Sequence, residues 1–214
     1  MNFGELKTAL GSWMAKDTTA LPDDIRGQII NMAIQGYCRR FDLSYNEYTA
    51  SVAAVANTAY SALPTGFSRP YQMFYLDSDN NKVDVDYLTR EEFIIKYPNS
   101  AETGDIKHYT IWAGKIWWGP TPSANKTVTF DIYRVLVDLS ATDDSNDFTL
   151  YAWPLLLFKS CCLCSIFGIE DARMGTWQSE YVRLENELVI EHSRAKSAGR
   201  RPVSRDYGYT GRNA

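Results

Sequence analysis

The chain has no apolar run long enough to cross a bilayer. Its strongest candidate, Leu155 to Ile169, is interrupted by Lys159 and falls short of the ~18–20 residues a span requires. The opening Met-Asn-Phe-Gly-Glu-Leu-Lys lacks a basic stretch followed by an apolar one, so it does not read as a secretion signal. The protein is expected to be made and used in a reducing cytoplasm, away from membranes. Histidine is scarce. Only His108 and His192 occur, and neither stands at ligand spacing. Of the four cysteines, Cys161, Cys162 and Cys164 crowd into one apolar helical run, with Cys38 far upstream. Without a second cluster they read as buried, reduced thiols and not as a metal site.

Other chemistry is missing in the same way. Gly114-Lys115 cannot end a phosphate-binding loop, because the upstream glycine is absent and Ile116 stands where a hydroxyl should bind the metal. Asp77-Ser78-Asp79-Asn80-Asn81 resembles half a calcium loop, but Lys82 replaces the required glycine and Leu88 the closing glutamate; a hairpin turn accounts for it better. Glu191-His192 has no second histidine, and no Gly-x-Ser-x-Gly elbow or cysteine–histidine pair offers a nucleophile. The carboxylate pairs Asp84 with Asp86 and Glu91 with Glu92 read as solvated faces. No catalytic, cofactor or metal residue is assigned, and an enzyme is not expected.

What the chain does have is an ordinary globular composition, 45% hydrophobic and 22% charged over 214 residues. That suits one domain, or one domain carrying an insertion. Aromatics are plentiful, with six Trp, fourteen Tyr and nine Phe, and serve either a filled core or protein interfaces. Charge is uneven. Six basic residues from Arg194 onward stand against Asp206 alone, a net of +5 that leaves −4 − 5 = −9 for the rest. An acidic body with a basic tail is poorly suited to gripping nucleic acid by bulk electrostatics.

Helical patterns lie at both ends of the chain. Asn2 to Lys16 puts Phe3, Leu6, Leu10, Trp13 and Met14 on one side. A second helix starts at Pro22, with Asp23 and Asp24 in its first turn and Ile25, Ile29, Met32, Ala33, Tyr37 and Phe41 at helical period. Between these and the C-terminal helices the signals are those of strands. Tyr45 to Ala62 suits helix or strand. Tyr71 to Leu76 and Lys82 to Leu88 form a hairpin, Val83, Val85 and Tyr87 alternating with Asp84 and Asp86. Thr89-Arg90-Glu91-Glu92 is a capping box that opens a short helix with Phe93, Ile94 and Tyr97 inward, ended by Pro98. Tyr109 to Trp112 and Lys115 to Trp118 form a second hairpin, and Thr127 to Val137 a further strand. A helix from about Thr149 to Phe167 accepts Pro154 in its first turn. The last helix, about Glu170 to Lys196, carries Trp177, Tyr181, Leu184 and Leu188 as one stripe.

The fold expected is α+β: a helical bundle formed by the N- and C-terminal helices, with an inserted antiparallel β module and a basic C-terminal tail. The divisions are residues 1–44, 45–137, 138–197 and 198–214.

Several of these segments, in their order, resemble the head-to-tail adaptor proteins of short-tailed bacteriophages. Phe3-Gly4-Glu5-Leu6 is similar to their first helix and Leu21-Pro22-Asp23-Asp24-Ile25 to the start of their second. Leu63-Pro64-Thr65-Gly66-Phe67 resembles their step into the sheet, and Leu88 to Phe93 the short helix after the first hairpin. Tyr109-Thr110-Ile111, Gly114-Lys115-Ile116 and Gly119-Pro120-Thr121-Pro122 resemble their Gly-turn hairpin, and Tyr133-Arg134 a pair on the next strand. The likeness spans roughly residues 1–200. Trp117-Trp118 and the clustered cysteines depart from the pattern.

The resemblance implies a structural virion protein at the head-tail junction: a ring of about twelve copies beneath the portal protein, docked below to a tail nozzle or tail tube protein. It would continue the channel through which viral DNA passes during ejection. Arg200, Arg201, Arg205, Tyr207, Tyr209 and Arg212 of the tail are the expected portal-binding residues. Two other readings compete. One is a nucleic-acid-binding module using the tail and Trp112, Trp117 and Trp118 as stacking surfaces. The other is a hydrolase or carbohydrate-binding β module with the same rings as sugar platforms.

Overall fold

The computed structural model describes residues 1–99 and 101–197, the last three by backbone alone. In chain order the elements are α1 (Phe3–Trp13), α2 (Asp23–Arg40), β1 (Glu47–Ala54), β2 (Tyr60–Ala62), β3 (Phe67–Leu76), β4 (Lys82–Asp84) and β5 (Asp86–Tyr87). Next come α3 (Arg90–Lys96), β6 (Thr103–Gly104), β7 (His108–Trp112), β8 (Lys115–Gly119), β9 (Thr121–Pro122) and β10 (Lys126–Arg134). The chain closes with α4 (Asp147–Tyr151), α5 (Trp153–Leu163) and α6 (Met174–Ser197). This is the expected α+β fold, with helices from both ends of the chain around one core. The basic tail lies outside the described residues.

Local chemistry sets the helix starts. Asn2 accepts from the Glu5 amide at 2.8 Å while the Glu5 carboxylate accepts from the Asn2 amide at 2.9 Å, a reciprocal cap on α1. Thr89 and Glu92 cap α3 in the same way, as the sequence predicts. The first turn of α1 is then tied to a distant loop. Phe3 N–H donates to Asp144 O at 2.9 Å and Gly4 N–H to Thr142 O at 2.8 Å, so the start of α1 is bonded to the loop before α4. The helical core gathers Phe3, Leu6 and Leu10 of α1, Ile29, Ile30, Ile34 and Tyr37 of α2, and Leu155, Leu156 and Cys161 of α5, with Trp177 and Leu188 of α6.

Two helices differ from expectation. On α2, Met32 is 43% exposed, and Ile30 and Ile34 are buried in its place. The helix is covered on two sides, by α1 and α5, so its apolar face is broader than a single stripe. The long helix expected over Thr149 to Phe167 is broken at Ala152, whose ψ of 24° ends α4; α5 then starts with Pro154 in its first turn. Proline has no N–H to donate and crowds the preceding turn, so it fits a new N-terminus better than the interior of a longer helix.

The β elements form two principal sheets, ordered β1-β10-β3-β4 and β2-β8-β7-β5, and the pair β6-β9. Pairing is antiparallel except for β5 with β7 and β6 with β9, which are parallel over two residues each. Met73, Tyr75, Val128, Phe130 and Ile132 of the first sheet meet Tyr109, Ile116 and Trp118 of the second in a separate core. The segment Tyr45 to Ala62, open between helix and strand, is strand on both sides of a turn. The hairpin partner expected over Lys82 to Leu88 divides instead. β4 pairs with β3, Val85 is buried between, and β5 crosses to the other sheet. Tyr87 is accordingly 50% exposed and does not face inward.

Gly66 shows why the Leu63–Phe67 step is built as it is. Its φ is +74°, and a Cβ there would lie 2.7 Å from the Val135 carbonyl oxygen. The Val135 N–H donates to Gly66 O at 2.8 Å, so the chain entering β3 is bonded to the chain leaving β10. Ala113 and Gly114, both at positive φ, form the two-residue turn between β7 and β8.

Candidate assembly interface

Two connections join the helical body to the sheets, and each is held by a buried or half-buried asparagine. On the outgoing side Asn46, fully buried, donates to the carbonyls of Cys38 at 3.0 Å and Phe41 at 3.2 Å and accepts from the Leu43 amide at 3.0 Å. On the return side Asn31 donates to Leu139 O and accepts from Leu139 N–H, both at 3.0 Å. Neither role was visible in the sequence, because polar residues of this kind look the same in any turn.

Beside the outgoing connection lies a groove of about 900 Å³. Phe41 and Asp42 after α2, Glu47, Tyr48 and Thr49 of β1, Tyr71 of β3, Asp131 and Tyr133 of β10, and Val189, His192 and Ser193 of α6 line it. Thr49 Oγ1 donates to Asp131 at 2.6 Å, and the Tyr71 and Tyr133 rings meet edge to face at 6.0 Å. Asp42 pairs with Arg69, and the Arg134 guanidinium lies 4.2 Å from the centre of the Tyr48 ring. His192 sits 3.0 Å from Ser44 Oγ through Nδ1, its ring edge-on to Tyr45. Carboxylates set among rings make a surface suited to a cationic, aromatic guest.

A second surface stands on the outer side of the β2-β8-β7 sheet. Tyr60 and Trp117 rings lie 5.1 Å apart, Lys115 Nζ is 3.8 Å over Tyr60, and Arg90 spans Trp117 at 5.4 Å and Trp112 at 5.8 Å. Trp112 is 54% exposed. Trp118, which the competing readings placed with these rings as a platform, is instead 2% exposed and donates through Nε1 to Ser61 Oγ at 3.0 Å. The alternation along β8 sends Trp117 outward and Trp118 inward.

The residues considered for other chemistry are dispersed. Asp77 accepts from the amides of Asp79 at 2.9 Å and Asn81 at 2.8 Å, the geometry of a hairpin turn, and those bonds hold its carboxyl below the usual range. Asp84 accepts from Gln72 and Lys82 on the first sheet, whereas Asp86 belongs to the second. Cys38, Cys161 and Cys164 are buried, Cys162 partly so. Burial pushes the Cys161 thiol up to about 12 and the Cys164 thiol to about 11, where it is a poor nucleophile. His108 is held between Tyr97 OH, 2.7 Å from Nδ1, and Lys96 Nζ, 2.9 Å from Nε2. Among the described residues no group of three or more His, Cys, Asp or Glu could hold a metal ion, and no helix is long and apolar enough to cross a membrane. The six tail residues expected to bind the portal lie outside the described residues.

The described residues thus form a helical body carrying a two-sheet module, with an acidic groove and cation-capped rings at its surface. The family model described as SU10 adaptor protein matches residues 1–206, and the chain belongs to that family. Membership supports an adaptor role in a bacteriophage particle, in association with portal and tail components, and a structural task. No curated protein matches the chain.

Proposed function

We propose that this protein forms a ring of about twelve copies joining the portal to the tail and continuing the DNA channel. The observation that carries the reading is the family match over residues 1–206. In this reading residues 1–44 and 138–197 are one body, residues 45–137 a module carried on it, and residues 198–214 the portal-binding segment, acting through Arg200, Arg201, Arg205, Tyr207, Tyr209 and Arg212. The tail nozzle or tube protein docks on the opposite surface.

The charge distribution supports this role. A channel wall of unpaired Lys and Arg would hold the phosphate backbone and slow its passage, whereas an acidic body leaves DNA free to slide. Arginine and tyrosine are the side chains that anchor protein interfaces most strongly. Mixing the chain with its portal and imaging the product by electron microscopy tests the ring. In the same experiment an Arg200→Glu, Arg201→Glu, Arg205→Glu variant should lose portal binding by at least about tenfold and remain folded. Undiminished binding by that variant would remove the tail from the interface, and free chains beside bare portals in the unmodified sample would overturn the reading.

A further inference from the structure

We infer that the groove between α6 and the first sheet is the docking site of this chain's own basic tail, which is stored there until the portal takes it. Three observations lead to this occupant. The first is where the described chain ends. Val189, His192 and Ser193 of α6 line the groove, and α6 runs only to Ser197. At a helical rise of ~1.5 Å per residue Ser193 lies roughly 6 Å from that end. An extended segment then advances by up to ~3.6 Å per residue, so Arg200 to Arg205 can turn back to any part of the lining.

The second observation is charge. Asp42, Glu47 and Asp131 line the groove; Asp42 pairs with Arg69, and Asp131 accepts from the neutral Thr49 hydroxyl. Arginine at positions 200, 201 and 205 supplies forked donors that match carboxylates. The third is aromatic character. Tyr71 is 71% exposed and Tyr48 42% exposed, each offering ring surface to Tyr207 and Tyr209. A tail on the same chain competes at high effective concentration, so modest contacts suffice to hold it. Docking itself is independent of the proposed portal role; only release by the portal rests on that reading.

Limited trypsin digestion of the full chain, followed by mass spectrometry, reads the state of the tail. The Arg201–Pro202 bond resists trypsin in either state; cleavage after Arg200 and Arg205 should be slow and its rate independent of protein concentration. The double variant Tyr71→Ala, Asp131→Asn should be cleaved there at least about tenfold faster. Equal rates in the two proteins overturn the inference. Protection that appears only at high concentration also overturns it, because the groove would then hold the tail of a second copy. A variant that leaves the body untouched gives an independent readout: in the full chain, Arg200→Gln, Arg201→Gln, Arg205→Gln should speed hydrogen exchange at residues 41–49 and 189–193. Unchanged exchange there counts against docking. If these tests succeed and the portal still fails to bind the chain, the docking stands and the proposed function falls; a freely cleaved tail on a chain that binds its portal is the reverse result.

Discussion

At the scale of single residues, the junction depends on Asn46. Its side chain satisfies three backbone groups, two carbonyls where α2 ends and one amide where the chain turns toward β1. The site is fully buried, so no water replaces the amide once it is removed. Asn46→Ala should therefore cost about 2–4 kcal/mol, since buried groups left without partners lose more than the net worth of the bonds. Urea titration followed by circular dichroism measures it, and a loss below about 1 kcal/mol would mean that the backbone re-satisfies itself. The sequence gives no warning of this role. Thr89 with Glu92, by contrast, is legible as a cap because both partners lie within one turn. Asn46 joins segments whose proximity only the fold creates.

At the scale of elements, periodicity announces most of the helices and strands but not where they switch partner. α1, α3, the β7–β8 hairpin and the stripe on α6 follow from spacing and caps. The break before Pro154 and the crossing of the chain from β4 to β5 depend on what lies opposite, which no local window contains. α3 is a useful case, because its cap is legible and its docking is not. Phe93 is buried while Ile94 and Ile95 are 50% and 81% exposed, so the helix is held by few side chains. The contact of Lys96 and Tyr97 with His108 of β7 is one of them. Burial, with the Lys96 charge beside it, lowers the His108 pKa below the ordinary 6.5. The neutral ring accepts from Lys96 at Nε2 and donates from Nδ1 to the Tyr97 oxygen; a second proton would face the ammonium. A histidine with a depressed folded pKa contributes stability that is present above pH 6.5 and lost as pH falls through the folded value. An NMR titration of the His108 ring should give a midpoint below 6.5, with the Phe93 and Tyr97 signals shifting in step. A midpoint at or above 6.5 would show the ring to be open to solvent.

At the scale of the whole molecule, the two cores are the governing feature. One gathers residues from α1, α2, α5 and α6, the other residues of the two principal sheets, and the groove lies where they adjoin. Helical and strand periods occupy separate stretches of the sequence, but nothing in it foretells the groove, which is made from segments at 41–49, 71, 131–133 and 189–193. Among the described residues the backbone passes between the cores twice, near Asn46 and near Leu139, with the Asp42–Arg69 ion pair beside the first passage. A lesion in one core should then leave the other standing. Leu156 is fully buried in α5, and Leu156→Ala should cost about 3–5 kcal/mol through lost contacts and the cavity left behind. Hydrogen exchange resolved by segment should show α1, α2, α5 and α6 opening faster, while β7, β8 and β10 keep their protection. Faster exchange in both sets by the same factor would make the chain one cooperative unit. For an adaptor such independence would let the helical body and the sheets seat against different neighbours without the packing of either being disturbed.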